Sequence, residues 1–281
     1  MELESVMDVF ARKAEEISLD HPDDYIGEDG LKRCGVCHGK KQHRLQMFGK
    51  ESIVACICEC RVKQLEAEER QREQEKMQKV ISENRRTGFP ESDMQYMTFE
   101  QDDGAHPGIT RAMKIYVDNF PKLIREGKGL LLYGGVGTGK TFAAACVVNA
   151  LIDSGYSCLM TNFSRVLNTL WGTEQRQDYL DELNRFQLLV LDDLGAERRS
   201  EHAQEQVFNI IDARYRAKLP LIITTNLSAE ELKNPQDITN RRIYDRILEM
   251  CHPIAVNGVN RRRKKLTESF TDMNKLFGFE M

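Results

Sequence analysis

No stretch of this 281-residue sequence stays apolar for the ~18–20 residues that a bilayer-crossing helix requires, so a helical membrane protein is excluded. The opening MELESVMDVFARK lacks the basic-then-apolar layout of a secretory signal, and the expected compartment is the cytoplasm. Internal repeats and low-complexity tracts are absent too, which leaves an ordinary folded chain with room for a large domain plus a small one. Strong net charge is also missing. The balance is −4, with ten acids against two bases in residues 1–30 and a basic run, RRRKK, at 261–265. Global charge therefore says little about partners, while local basic patches stay available for nucleic acid.

What is present divides the chain into contrasting segments. Leu3, Val6, Met7, Phe10 and Ala14 fall at helical spacing and predict a short amphipathic helix over 2–17, followed by a turn-rich loop, DHPDDYIGEDG. Residues 61–86 are almost free of aromatic and β-branched side chains until Val80. Glu66/Arg70, Glu68/Arg72 and Glu75/Lys79 stand at i,i+4, which predicts a polar helix acting as a connector. Gly88 and Pro90 end it. The predicted divisions are 1–62, a linker at 63–88, and 89–281. From about residue 108, helices (ITRAMKIYVDNFPKL, KTFAAACVVNALIDSG, EHAQEQVFNIIDARYRAK) alternate with short apolar strands (GLLLYG, SCLMTN, FQLLVLDDLG, LPLIITTN). That alternation predicts a parallel sheet covered by helices on both faces. From about Ser228 onward the chain reads as mostly helical and basic.

Five of the eight cysteines crowd into residues 34–60: Cys34-x2-Cys37, then Cys56, Cys58 and Cys60 at alternate positions. Paired spacings of this kind suit a metal in a reducing compartment better than disulfides, and four thiolates around zinc fold a segment too small to hold a core alone. Read as a strand, the second half sets Cys56, Cys58 and Cys60 on one side. Cys34, Cys37, Cys58 and Cys60 are the expected ligands, with Cys56, His38 or His43 as substitutes. Cys146, Cys158 and Cys251 sit in apolar surroundings and read as core residues.

GGVGTGKT, residues 134–141, has the spacing G-x-x-x-x-G-K-[ST] directly after a predicted strand and at the start of a helix. Small residues there let backbone N–H groups close around a polyphosphate. The expected binding set is Gly134, Gly135, Val136, Gly137, Thr138, Gly139, Lys140, Thr141 and Phe142, with Lys140 on the terminal phosphates and the Thr141 hydroxyl on magnesium. A second strand, LLVLDD, delivers Asp192 for the magnesium shell and Asp193 for the attacking water, and IITTN offers the Asn226 amide to orient that water. On a helix, NRRIYDRILEM presents Arg242 and Arg246 one turn apart, either of them suited to developing phosphoryl charge.

Together, YGGVGTGKT, LLVLDDLGAE, IITTN and RRIYDRIL with NGVNRR resemble the AAA+ ATPases of the DnaC/DnaI helicase-loader group and the related IstB transposition helpers, over residues 90–266. The resemblance implies an α/β AAA+ P-loop fold behind a small zinc-binding domain, using ATP, Mg2+ and Zn2+. It makes Arg246 an arginine finger acting on a neighbouring subunit's nucleotide, and Arg262 the sensor-2 arginine of the same subunit. Asn260 replaces the family serine, which keeps Arg261 and Arg263 as neighbouring candidates. Asp193 stands where the wider class has glutamate, implying slow, switch-like hydrolysis. A zinc module ahead of the ATPase is similar to DnaI-type and phage-encoded loaders, whose amino-terminal part contacts the replicative helicase. The implied function is ATP-dependent loading of a hexameric replicative helicase onto single-stranded DNA, with self-association through the AAA+ domains. Residues 163–186 and Arg261 to Lys265 are the candidate DNA contacts. An IstB-like transposition helper and a nucleotide-gated zinc adaptor without hydrolysis are the alternatives.

Overall fold

The computed structural model describes residues 21–47, 50–195, 201–235 and 237–277, so the helix predicted over 2–17 lies outside the described residues. The chain divides into two compact units between Gln78 and Lys79. In the first, β1 (Tyr25–Ile26) pairs antiparallel with β2 (Lys32–Arg33), and β3 (Gln42–Met47) with β4 (Lys50–Ala55). The segment predicted as a plain loop thus contributes β1. The polar helix α1 runs Glu59–Gly88 and crosses the division.

The second unit begins with two 3-10 turns, Ser92–Tyr96 and Phe99–Gln101, and then helices α2 (Pro107–Asp118) and α3 (Phe120–Glu126). One continuous helix is predicted over 109–123. The break falls at Asn119 because Pro121 has no N–H to continue the ladder and instead fits the first turn of a new helix. The remaining elements are β5 (Gly129–Tyr133), α4 (Lys140–Asp153), β6 (Cys158–Asn162), α5 (Phe163–Gly172), α6 (Arg176–Leu183), β7 (Leu188–Leu194), α7 (Glu201–Arg216), β8 (Leu221–Thr225), α8 (Ala229–Lys233), α9 (Ile238–Met250), β9 (Cys251–Ala255) and α10 (Arg261–Phe277).

All five large strands are parallel, in the order β6-β7-β8-β5-β9. Alternate residues of each strand feed opposite cores, as period-two geometry demands. Leu131, Leu189, Leu191 and Ile223 pack with Phe163, Val166, Ile211 and Ile247 of α5, α7 and α9. Leu130, Leu132, Val190 and Ile222 pack with Met113, Phe120, Val148 and Ile152 of α2, α3 and α4. Burial on both faces is why these strands read as unbroken apolar runs. Cys146, Cys158 and Cys251 are buried.

Strand β9 interrupts the carboxyl-terminal part, which is expected to be mostly helical. Its sequence, CHPIA, hides the strand because Pro253 lacks a ladder donor. It is tolerated because β9 lies at the sheet's edge, with Pro253 in register with Leu131. The cysteine run also departs from prediction. β4 stops at Ala55, Cys56 to Cys58 form a connection, and Cys60 lies in the first turn of α1, so the three do not share one strand face.

Arg214 on α7 is 0% exposed and donates to the carbonyls of Pro220 (2.9 Å), Gln187 (3.1 Å) and Leu183 (3.4 Å). Burial pulls its pKa down to about 10, which still leaves a cation at neutral pH. It ties together the turns entering β7 and β8. Arg214→Met strands those carbonyls and should destabilise the chain by about 2–4 kcal/mol, read from urea unfolding followed by circular dichroism.

Candidate nucleotide site and cysteine cluster

The sheet's carboxyl edge gathers the polar residues. Leaving β5, the backbone takes φ of 145° at Gly134 and 77° at Gly137. A Cβ on Gly134 would lie 2.4 Å from the Val256 carbonyl, and one on Gly137 would lie 2.2 Å from Asn260 Oδ1. The loop is therefore held shut against the segment after β9, and Arg261 N–H donates to Gly137 O at 2.9 Å. α4 starts at Lys140.

The Lys140 side chain is 5% exposed, and its Nζ donates to Gly134 O (2.9 Å), Gly135 O (2.8 Å) and Asn226 Oδ1 (2.8 Å). Burial lowers its pKa, against the pull of Asp193 and Asp192. Thr141 Oγ1 donates to both Asp192 oxygens, at 3.0 and 3.1 Å, and Thr224 Oγ1 donates to Asp192 Oδ1. Burial raises the Asp192 pKa, with the Thr224 hydroxyl opposing it. Asp193 has φ of 59°, its N–H donates to Thr224 Oγ1 at 3.0 Å, and Asn226 Nδ2 donates to its carboxylate at 3.5 Å.

A cleft of about 510 Å³ is lined by Val136, Gly137, Gly139, Lys140, Thr141, Phe142, Asp193, Asn226, Arg261 and Arg262, closed by Met97, Gln101 and Asp103. A neighbouring cleft of about 790 Å³ runs past Thr141, Asp192, Asp193 and Arg262 to Pro90, Glu91, Met94 and Asn162. Thr138 is buried beside the loop, donating to Gly135 O at 3.0 Å. Three cations, a loop with no room for a Cβ at Gly134 or Gly137, and a hydroxyl paired with a carboxylate match the chemistry of a nucleotide triphosphate with magnesium. Arg261 differs from Arg262 in its partner: its Nη2 pairs with Asp103 at 3.1 Å.

Arg246 is not brought to this cleft. It lies over the Tyr215 ring at 4.2 Å, with Asp212 and Glu249 each 3.4 Å away, while Arg242 lies over Phe208 at 4.5 Å. Sequence reasoning missed Thr224 as a partner of Asp192, and Met97, Gln101 and Asp103 as cleft walls. These last three carry no local motif, and only tertiary packing reveals them.

In the first unit, Cys34, Cys37, Cys58 and Cys60 place their sulfurs within 4.8 Å of one another. Cys60 Sγ is 3.5 Å from Cys34 and 3.3 Å from Cys58. Zinc with ~2.3 Å arms needs sulfurs ~3.8 Å apart, so a small contraction or expansion of each edge fits the ion. The Cys60 N–H leads in pulling the Cys37 thiol down to about 6, while hydrogen bonds shared with Cys58, Cys34 and Cys37 push Cys60 up to about 12. Beneath the first knuckle, buried Asp24 accepts from Lys41 (2.6 Å) and from Gly35 N–H (3.0 Å). Cys56 turns away and donates to Lys40 O at 3.3 Å, and His43 lies in β3, outside the sulfur group.

Fold and site define a P-loop ATP-binding protein of the AAA+ class, with a cysteine cluster ahead of it. Residues 56–269 match the family described as IstB-like ATP binding protein, and the chain belongs to that family. The replicative helicase loader DnaI of Bacillus subtilis (strain 168) is 30% identical over 279 residues, covering 91% of this chain and 86% of the loader. A putative insertion sequence ATP-binding protein of Sinorhizobium fredii (strain NBRC 101917 / NGR234) is 26% identical, covering 59% of this chain and 57% of its own. A solved structure titled as the crystal structure of the DnaI is 27% identical with a TM-score of 0.51, covering 62% of this chain and 95% of that one. No helix among the described residues is long and apolar enough to cross a membrane.

Two outcomes follow from this geometry. Cys58→Ser should reduce bound zinc, measured by elemental mass spectrometry, well below one ion per chain, while Cys56→Ser retains it. Gly134→Ala, which forces a methyl against the Val256 carbonyl, should weaken binding of a fluorescent ATP analogue by at least ~10-fold, with the far-ultraviolet spectrum unchanged.

Proposed function

We propose that this chain is an ATP-controlled loader that delivers a hexameric replicative helicase onto single-stranded DNA. The observation that carries the reading is the extent of the match. Similarity to the Bacillus loader spans 91% of the chain, whereas similarity to the insertion-sequence protein spans 59%. The second reading, a transposition helper, draws on that shorter match.

In this account the loop from Gly134 to Thr141 holds the phosphates, and Lys140 supplies the cation that meets them. Thr141 and Asp192 hold magnesium, while Arg262 and Arg261 close the site from α10. Magnesium ATP supplies the phosphoanhydride whose cleavage resets the switch. Asp193 accepts a proton from the attacking water, and Asn226 fixes the orientation of that carboxylate. The aspartate is one methylene shorter than the glutamate of the wider class, and turnover is accordingly slow. Arg246, on α9 and stacked on Tyr215 of α7 rather than in its own cleft, serves the nucleotide of an adjacent subunit. The division of labour is 1–62 as a zinc-held grip on the helicase, 63–88 as a helical linker and 89–281 as the ATPase. Cys34, Cys37, Cys58 and Cys60 hold the zinc that stabilises the grip. DNA contacts fall to 163–186 and the basic start of α10.

Retention on immobilised replicative helicase should be lost on deletion of residues 1–87. Retention by the truncated chain would contradict the division of labour. Lys140→Ala should abolish ATP hydrolysis and helicase loading onto single-stranded DNA, and loading that persists would sink the switch. Mixing Arg246→Ala with Lys140→Ala subunits should restore part of the hydrolysis if the arginine acts across a subunit boundary.

A further inference from the structure

The wall of the nucleotide cleft opposite the P-loop is a segment with little structure of its own, residues 90–97. Pro90, Glu91, Asp93, Met94 and Met97 line the cleft that holds Thr141, Asp192 and Asp193, and Met97 also lines the P-loop cleft. One 3-10 turn, Ser92–Tyr96, gives it few internal hydrogen bonds. Something outside the segment must hold it in place.

The holding group is Asn149, on α4 nine residues beyond Lys140. Its side chain is 1% exposed, an unusual setting for an amide inside a helix. Nδ2 donates to Met94 O and Met97 O, each at 3.0 Å, and lies 3.0 Å from Ala145 O within its own helix. Oδ1 accepts from Arg85 Nη1 at 3.0 Å. Because a guanidinium only donates, Arg85 fixes which end of the amide faces which partner and aims both N–H groups at the carbonyls. Arg85 is itself fixed by Asp153 on α4 and donates to Gln95 O at 3.4 Å. A separate pin joins Asn162 Nδ2, at the end of β6, to Glu91 at 2.9 Å.

We propose that Asn149, oriented by Arg85, is a positioning residue that sets the width of the nucleotide cleft by clamping residues 94–97 to the P-loop helix. The inference rests on reading that cleft as the ATP site. Arg85 lies in the last turn of α1, and Gly88, which ends that helix, is so close to β6 that a Cβ there would meet the Cys158 carbonyl at 2.7 Å. Asn84 Nδ2 donates to Gly155 O at 3.2 Å. The end of α1 is thereby seated on the same helix and strand that carry the site. A torque on α1 reaches the cleft through one guanidinium and one amide, and nucleotide binding resists that torque in return.

The test uses the full chain and a fluorescent ATP analogue with magnesium. Arg85→Gln is the deciding variant, because that side chain is about one-third exposed and its shortening opens no core cavity. It should weaken nucleotide binding by about 10-fold, raise KM for ATP far more than it lowers kcat, and speed amide exchange in residues 90–101 while β7 and β8 keep their protection. Arg85→Lys should recover part of the affinity, and Asn149→Ala should reproduce the loss. Affinity within twofold of wild type for Arg85→Gln, or faster exchange spread evenly over the sheet, overturns the clamp. Failure of the wild-type chain to bind the analogue would instead overturn the reading of the site, which separates the two failures.

Discussion

The second unit is organised around a buried ammonium ion. Taking Lys140 out of water is costly, and the fold offsets that cost with two loop carbonyls and the Asn226 amide oxygen, all within 2.9 Å. Those partners exist only if the loop closes, if β8 ends beside β5, and if Asn226 emerges at the same edge. A polyphosphate is a better partner for that cation than neutral carbonyls, so the site favours an anion. The neighbouring carboxylate follows the same logic. Asp192 is buried and pushed toward its neutral form, with Thr141 and Thr224 opposing the push. A divalent cation completes that environment.

This arrangement depends on the order of the strands. β5 lies between β8 and β9, so its loop meets Asn226 on one side and the segment bearing Asn260 and Arg261 on the other. The first unit solves a different problem. Its described hairpins are small, and the four sulfurs of Cys34, Cys37, Cys58 and Cys60 could hold a metal ion that would supply what apolar packing does not.

Legibility in the sequence tracked how local each signal is. The loop 134–141 and the pair at 192–193 carry their chemistry in consecutive residues, and strand, turn and helix fall where that chemistry needs them. The paired cysteines were equally readable, although a strand was the wrong vehicle: a turn and a helix start bring Cys58 and Cys60 to Cys34, and Cys56 is left facing Lys40. β9 was invisible because Pro253 disguises an edge strand, and the break at Asn119 was lost in an otherwise periodic helix. The wall at 90–97 carried no sequence signal, since its position is set by Asn149, more than fifty residues downstream.

The central claim is that the loop around Lys140 exists to receive a nucleotide triphosphate. Titration calorimetry of the purified full-length chain with ATP, with and without magnesium, tests it most directly. The account predicts saturable binding at one site per chain that tightens when magnesium is present. No heat and no saturation at millimolar ATP in either condition would contradict it.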